Sequence, residues 1–97
     1  MNYDHVKNEL IIFSPSARRS MWAWQQAQRQ CPKLWIKSCR YADRFTLLSD
    51  YTGELTRYIF VSEQRRSEYK IRGYHGNVCS EDEFFKNILP KEVIENE

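Results

Sequence analysis

Ninety-seven residues make one domain's length of chain, enough to bury a modest core without disulfides. Hydrophobic residues are 41% and charged residues 29%, an ordinary globular balance. The net charge of +2 excludes a basic field over the whole molecule, so any nucleic-acid contact must rest on local patches.

Residues 1–8 are polar and read as an arm or a short helical turn. Residues 9–13 carry Leu-Ile-Ile-Phe, whose β-branched content predicts a strand. The chain start lacks a basic segment followed by an apolar run, and no stretch approaches a membrane span. Ser14 and Pro15 suit a helix cap and a first helical position. From there to about residue 30 the pattern is helical. Ala17, Met21, Trp24, Ala27 and Cys31 recur at spacings of three and four, a stripe that predicts packing against a sheet. Arg18, Arg19 and Arg29 take the other faces, and Trp22 lies off the stripe. Pro32 ends the helix.

Residues 33–40 alternate as a strand should, with Trp35 between the cations Lys33 and Lys37. Residues 44–50, 54–62 and 68–74 read as three antiparallel strands joined by turns at 51–53 and 64–67. Side chains alternate faces along a strand. Leu55, Arg57, Ile59 and Val61 therefore share one face, and Thr56, Tyr58 and Phe60 the other. Phe45 and Leu47 oppose Arg44, Thr46 and Leu48. Lys70, Arg72 and Tyr74 oppose Tyr69, Ile71 and Gly73. One face of the sheet is aliphatic apart from Arg57, and the other mixes aromatic rings with cations. Gly76 and Asn77 make a turn. Ser-Glu-Asp-Glu at 80–83 is a capping box for a short helix to about residue 89, with Phe84, Phe85 and Ile88 apolar. Pro90 stops it, and 91–97 form an acidic, frayed tail. The expected architecture is a single α+β domain over 1–97: a short N-terminal strand, one long helix, a four-stranded antiparallel sheet and a short C-terminal helix.

A face of rings and cations can stack bases and hold phosphates. Lys33, Trp35, Lys37, Arg44, Tyr58, Phe60, Lys70, Arg72 and Tyr74 are the candidate nucleic-acid-binding residues on that ground. No glycine-rich phosphate loop, Ser-His-acid triad or distinctive carboxylate pair stands out. Cys31, Cys39 and Cys79 are odd in number and far apart, and only two histidines are present, so no metal or other cofactor is expected. Free thiols suit a reducing compartment and hence a cytoplasmic protein. Two residues remain. His75 ends the last expected strand. Arg57 lies on the aliphatic face, where its guanidinium must pair with an acid or reach solvent.

The run over 10–25, Leu-Ile-Ile-Phe-Ser-Pro-Ser-Ala-Arg-Arg-Ser-Met-Trp-Ala-Trp-Gln, resembles the opening of YoeB-type toxins of the RelE superfamily. Arg-Tyr-Ile-Phe at 57–60 and Tyr-His at 74–75 resemble the same family's later signatures. That resemblance implies a ribosome-associated ribonuclease that cuts messenger RNA on an antiparallel sheet. Arg57 would stabilise charge on the scissile phosphate, and His75 would transfer protons. The chain departs from the family in four respects. Its second helix is replaced by Pro32 and a strand, and Glu54 is not equivalent to the catalytic base. Gly76 stands where a terminal tyrosine is expected, and a helix follows the signature.

RNA or the ribosome is thus the first expected partner. A protein partner is the alternative, in which a non-catalytic regulator or inhibitor of the kind mobile elements encode uses Trp22, Trp35, Tyr58 and Tyr74 as anchors. Self-association through the aromatic face is a third.

Overall fold

The computed structural model describes residues 6, 8–42, 44–71 and 77–91, with the side chains of 69–71 excepted. The fold is α+β with a five-stranded mixed sheet. In chain order it runs β1 (Asn8–Ser14), α1 (Ala17–Gln30), β2 (Lys37–Arg40), β3 (Phe45–Ser49) and β4 (Thr56–Ser62). A 3₁₀ turn (Glu63–Arg65), α2 (Arg66–Ile71), β5 (Asn77–Ser80) and α3 (Glu81–Glu83) follow, and α3 continues into a π turn (Phe84–Ile88). The strand order is β2-β3-β4-β1-β5.

The sheet corrects the expectation of four antiparallel strands. β2, β3 and β4 do form an antiparallel meander. β1, however, lies between β4 and β5 and is parallel to both. Its composition explains the position. Ile11 and Ile12 are fully buried and Phe13 nearly so, although they point to alternate faces. A strand apolar on both faces belongs inside a sheet covered on both sides, as parallel strands usually are.

The expected strand at 68–74 is also corrected. Residues 66–71 are helical, and residues 72–74 of that expectation lie outside the described residues. Glu63, Gln64, Arg65, Arg66 and Glu68 are straight-chain residues with good helical propensity. Arg66 pairs with Glu63, and Arg65 with Glu68 at 3.0 Å, both at i,i+3 spacing. A parallel strand also requires a crossover connection. The segment from β4 to β5 supplies it, and β5 forms from residues expected to be a turn and a helix cap.

Other boundaries shift for local reasons. The strand expected over 33–40 is shortened to Lys37–Arg40, because Leu34 N–H closes a turn onto the Cys31 carbonyl at 3.2 Å. Ser14 belongs to β1, and Ser16 caps α1 instead, its Oγ accepting from Arg19 N–H at 3.1 Å. The buried stripe of α1 is Ser20, Ala23 and Ala27, with Cys31 at its end, whereas Ala17 is exposed. Small side chains let the helix sit close on the sheet. Ser80 caps α3 as its spacing predicts, accepting from Glu83 N–H at 3.1 Å. That helix ends when Leu89 N–H reaches back five residues to Phe84 O at 2.8 Å.

The strand pairings fix the faces. Ile12, Leu47, Tyr58 and Phe60 point toward α1 and enclose the main core with Ala23, Ala27, Phe84 and Leu89. Phe84 meets Phe60 edge-on at 5.5 Å and Tyr58 at 6.0 Å. Ile11, Phe13, Ile59 and Val61 form a second core on the opposite face, and the Arg66 guanidinium lies over the Phe13 ring at 4.1 Å. The face of Tyr58 and Phe60 is therefore the helix-covered face, not an open one. Among the described residues, no helix is long and apolar enough to cross a membrane.

Phe60→Ala should cost about 3–5 kcal/mol in urea unfolding, as for a ring deleted from a packed core. A loss below about 0.5 kcal/mol, the size of an ordinary surface change, would contradict the burial.

Candidate nucleic-acid interface

Because β1, β4 and β5 run in one direction, the sheet has a carboxyl end and an amino end that differ in chemistry. At the carboxyl end the chain leaves β1 for the N-terminus of α1 and leaves β4 for the 3₁₀ turn. The β2–β3 hairpin turn arrives at the same end. Ala17, Ser20, Ala42, Ser62, Gln64 and Arg65 line a cavity of about 320 Å³ there. Arg44 lies over the ring of Tyr41 at 4.5 Å, and Tyr41 N–H donates to Arg44 O at 2.9 Å, which closes the hairpin. Tyr41 is 46% exposed, and Arg18 and Arg40 are exposed.

The amino end is acidic. Asn8, Glu9, Glu54, Asn77, Cys79 and Glu83 line a larger cavity of about 590 Å³. Asn8 Nδ2 donates to Glu54 Oε2 across it. Burial pushes the Cys79 thiol up to about 11, and the Glu83 carboxylate adds to the effect. The thiol thus keeps its proton at neutral pH and is a poor nucleophile. Carboxylates lining this cavity make it unfavourable for a phosphate, whereas the carboxylates of the carboxyl end, Glu63, Glu68 and Glu81, are each paired with an arginine, which leaves that end the better candidate for an anionic ligand.

The expected site residues separate. Tyr58 and Phe60 are 2% and 0% exposed, so their ring faces are not open to a base. Their assignment as stacking residues is corrected: period-two alternation groups them, and α1 covers the face they share. Trp35 is half-buried, donates from Nε1 to Ala27 O at 3.1 Å and meets Tyr58 edge-on at 5.5 Å. Its ring belongs to the edge of the core. Arg57 lies on the opposite face, and its Nη1 is 2.9 Å from Glu9 Oε2. Pairing with an acid is one of the two outcomes its sequence position allows. Lys70 falls in α2, and its side chain is outside the described residues. Arg72, Tyr74 and His75 are outside them altogether.

Lys33, Lys37 and Arg44 lie along one edge of the sheet, with Lys37 and Arg44 at opposite ends of β2. β2 is the edge strand, paired only with β3 among the described strands. Lys33 precedes it, Lys37 begins it, and Arg44 lies across its hairpin turn. Arg40 and Tyr41, absent from the sequence candidates, complete this edge. A signal for them exists. Residues 10–42 contain six cations, Arg18, Arg19, Arg29, Lys33, Lys37 and Arg40, and no Asp or Glu. A net charge of +2 hides that asymmetry. Among the described residues, no cluster of three or more His, Cys, Asp or Glu side chains could hold a metal ion.

No protein-family model matches the chain, and neither curated proteins nor solved structures give a match.

Two measurements test this geometry. Cys79 rises from an ordinary value of 9.0, and burial also raises the Tyr51 and Tyr58 hydroxyls from 10.0. Above pH 9 the unfolded chain releases these protons before the folded one, so stability should fall as pH rises from about 9 through 11. Urea midpoints across that range check it, and Cys79→Ala should flatten the lower part of the fall. Separately, a double-mutant cycle on Arg57 and Glu9 should give a coupling below about 1 kcal/mol, since the pair is partly exposed and screened.

Proposed function

We propose that this chain is a small RNA-binding protein that holds a single strand along the β2 edge. The observation that carries the reading is the acid-free run over 10–42, which brings Lys33, Lys37 and Arg40 to an exposed sheet edge beside Tyr41 and Arg44. Lysine and arginine would neutralise successive phosphates and release their counterions. Tyr41, with Arg44 over its ring, offers a stacking platform for a base. A four-residue edge strand is too short to extend the sheet far into a partner strand, which favours side-chain contacts over backbone pairing.

The RelE-type ribonuclease reading would add cleavage to binding. The structure supports the binding step more directly than the chemistry. Arg57 lies 2.9 Å from Glu9 and would have to turn from it to meet a scissile phosphate. The mixed sheet also departs from the antiparallel sheet which that resemblance implies.

A protein partner is the second reading, favoured by Trp22. Its ring is 37% exposed, with the Arg19 guanidinium 3.7 Å from its centroid and Phe85 at 5.9 Å. Tryptophan and arginine together are a common interface anchor.

Binding of a single-stranded RNA oligomer at two salt concentrations separates the readings. Affinity should fall with salt, and the Lys37→Glu/Arg40→Glu variant should bind at least about tenfold more weakly with a shallower salt slope. Trp22→Ala should leave RNA affinity unchanged. Salt-insensitive or absent binding would defeat the RNA reading. A nuclease-resistant complex lost only in Trp22→Ala would replace it with the protein-partner reading.

A further inference from the structure

We infer that the cavity at the carboxyl end of β1 and β4 binds a phosphate monoester group. The inference rests on the Ser62 hydroxyl in the cavity wall and what surrounds it, not on the β2 edge.

Ser14 ends β1, and Ser62 ends β4. They are partners in the parallel register and point to the α1 side of the sheet. Ser14 is 1% exposed, and its Oγ has no hydrogen-bond partner among the described residues. Ser62 is 5% exposed and lines the cavity. It precedes the 3₁₀ turn in extended geometry, at φ −77° and ψ 152°, where a serine usually caps. Its hydroxyl makes no cap bond and has no other partner among the described residues. A buried hydroxyl without a partner, as at Ser14, is unusual, because it costs stability unless something accepts its hydrogen, and Ser62, its register partner, is the serine of the two that lines the cavity.

Apart from the apolar Ala42 and Phe45, the rest of the wall supplies what an anion needs. Ala17 begins α1, a helix of 14 residues whose first N–H groups have no intrahelical acceptors and carry the positive end of its dipole. No acidic residue of α1 itself occupies that first turn, and the Glu81 carboxylate beside it is held by Arg19 at 2.7 Å. Arg65 and Gln64 bring a guanidinium and an amide from the 3₁₀ turn. Arg65 also pairs with Glu68 at 3.0 Å, so a ligand would share the guanidinium with that carboxylate. Ser20 lines the cavity too, but its hydroxyl donates to Ser16 O at 3.0 Å and offers no proton to a ligand. Donors thus come from the helix end, the end of β4 and the 3₁₀ turn. Convergence from several directions suits a tetrahedral group with several acceptor oxygens better than a planar carboxylate. A doubly charged terminal phosphate fits that set, whereas an internal phosphodiester carries one charge and two flanking sugars.

Two sources share this chemistry: inorganic phosphate and the phosphorylated end of a nucleic-acid strand. The test uses the full chain, with Ser62→Ala and Ser62→Val variants whose melting is first measured without phosphate. In one arm, thermal unfolding is followed with added inorganic phosphate against chloride at equal ionic strength. In the other, affinity is compared for one RNA oligomer bearing a 5′-phosphate, a 3′-phosphate or neither. A phosphate-specific rise in Tm that is lost in Ser62→Val supports the site with free phosphate as ligand. A preference of about tenfold for one phosphorylated end, the size expected of a charge-assisted hydrogen bond, supports it with a strand end as ligand, provided Ser62→Val abolishes the preference. No phosphate effect in either arm, or effects unchanged in both Ser62 variants, overturns the site. RNA affinity that persists without end preference would sink the cavity and spare the β2 edge. Phosphate stabilisation without RNA affinity would do the reverse.

Discussion

Burial of β1 on both faces and both edges is the constraint from which the rest of the structure follows. Ile11 and Ile12 need cover on opposite sides of the sheet, and every backbone group between them needs a partner strand. β4 and β5 supply the strands, α1 and the Phe84 turn cover one face, and Arg66 closes over Phe13 on the other. A chain of this length has few residues for these tasks. The helix stripe is accordingly small, Ser20, Ala23 and Ala27, so that α1 lies close and the bulk comes from rings on the sheet. The two indoles beside this core find backbone acceptors, Trp24 on Thr46 and Trp35 on Ala27, which lets both pack without stranding a donor.

Parallel pairing of β1 with its neighbours also polarises the molecule. An antiparallel sheet would mix strand beginnings and ends at each rim. Here β1 and β4 end together, and the α1 N-terminus is brought to the same rim by the two-residue link after Ser14. Arg65 and the α1 N–H groups lie there, with the nearby carboxylates Glu63, Glu68 and Glu81 held in ion pairs, while Glu9, Glu54 and Glu83 line the cavity at the other rim. The separation follows from topology, and it makes the two cavities chemically unlike although they belong to one sheet. Ligands of open sheets with parallel strands favour the carboxyl rim for this reason.

Much of the local structure was legible in the sequence. The Ser80 cap, the helical span of α1 and the strand through Ile59 each rest on a strong local rule, and tertiary context did not override them, although the buried face of α1 is centred on Ser20, Ala23 and Ala27 and not on Ala17, Met21 and Trp24. What was hidden is of two kinds. Alternation reveals that Tyr58 and Phe60 share a face, but it does not say which face a helix covers, so the core read as an open surface. Alternation of Tyr69 and Ile71 also imitated a strand where ion pairs at i,i+3 favoured a helix. The pairing of β1 could not be read at all, since partner and direction depend on contacts far apart in the chain. The edge cations were visible one by one. Their significance lay in the missing acids around them, a pattern that counting positive residues alone does not reveal.

The serines at the carboxyl rim are where local rules and stability diverge. Alanine at 14 would keep the strand, remove a stranded donor and fit the space. Removing an unsatisfied buried hydroxyl is often neutral or stabilising, so packing gives no reason to keep it. In the aromatic core the indole donors of Trp24 and Trp35 are given backbone acceptors, while the buried Tyr51 hydroxyl has none among the described residues. A buried Ser14 hydroxyl without a partner, beside the Ser62 that lines the cavity and near a helix start whose neighbouring Glu81 is already held by Arg19, therefore belongs to a surface shaped for something that brings its own acceptors.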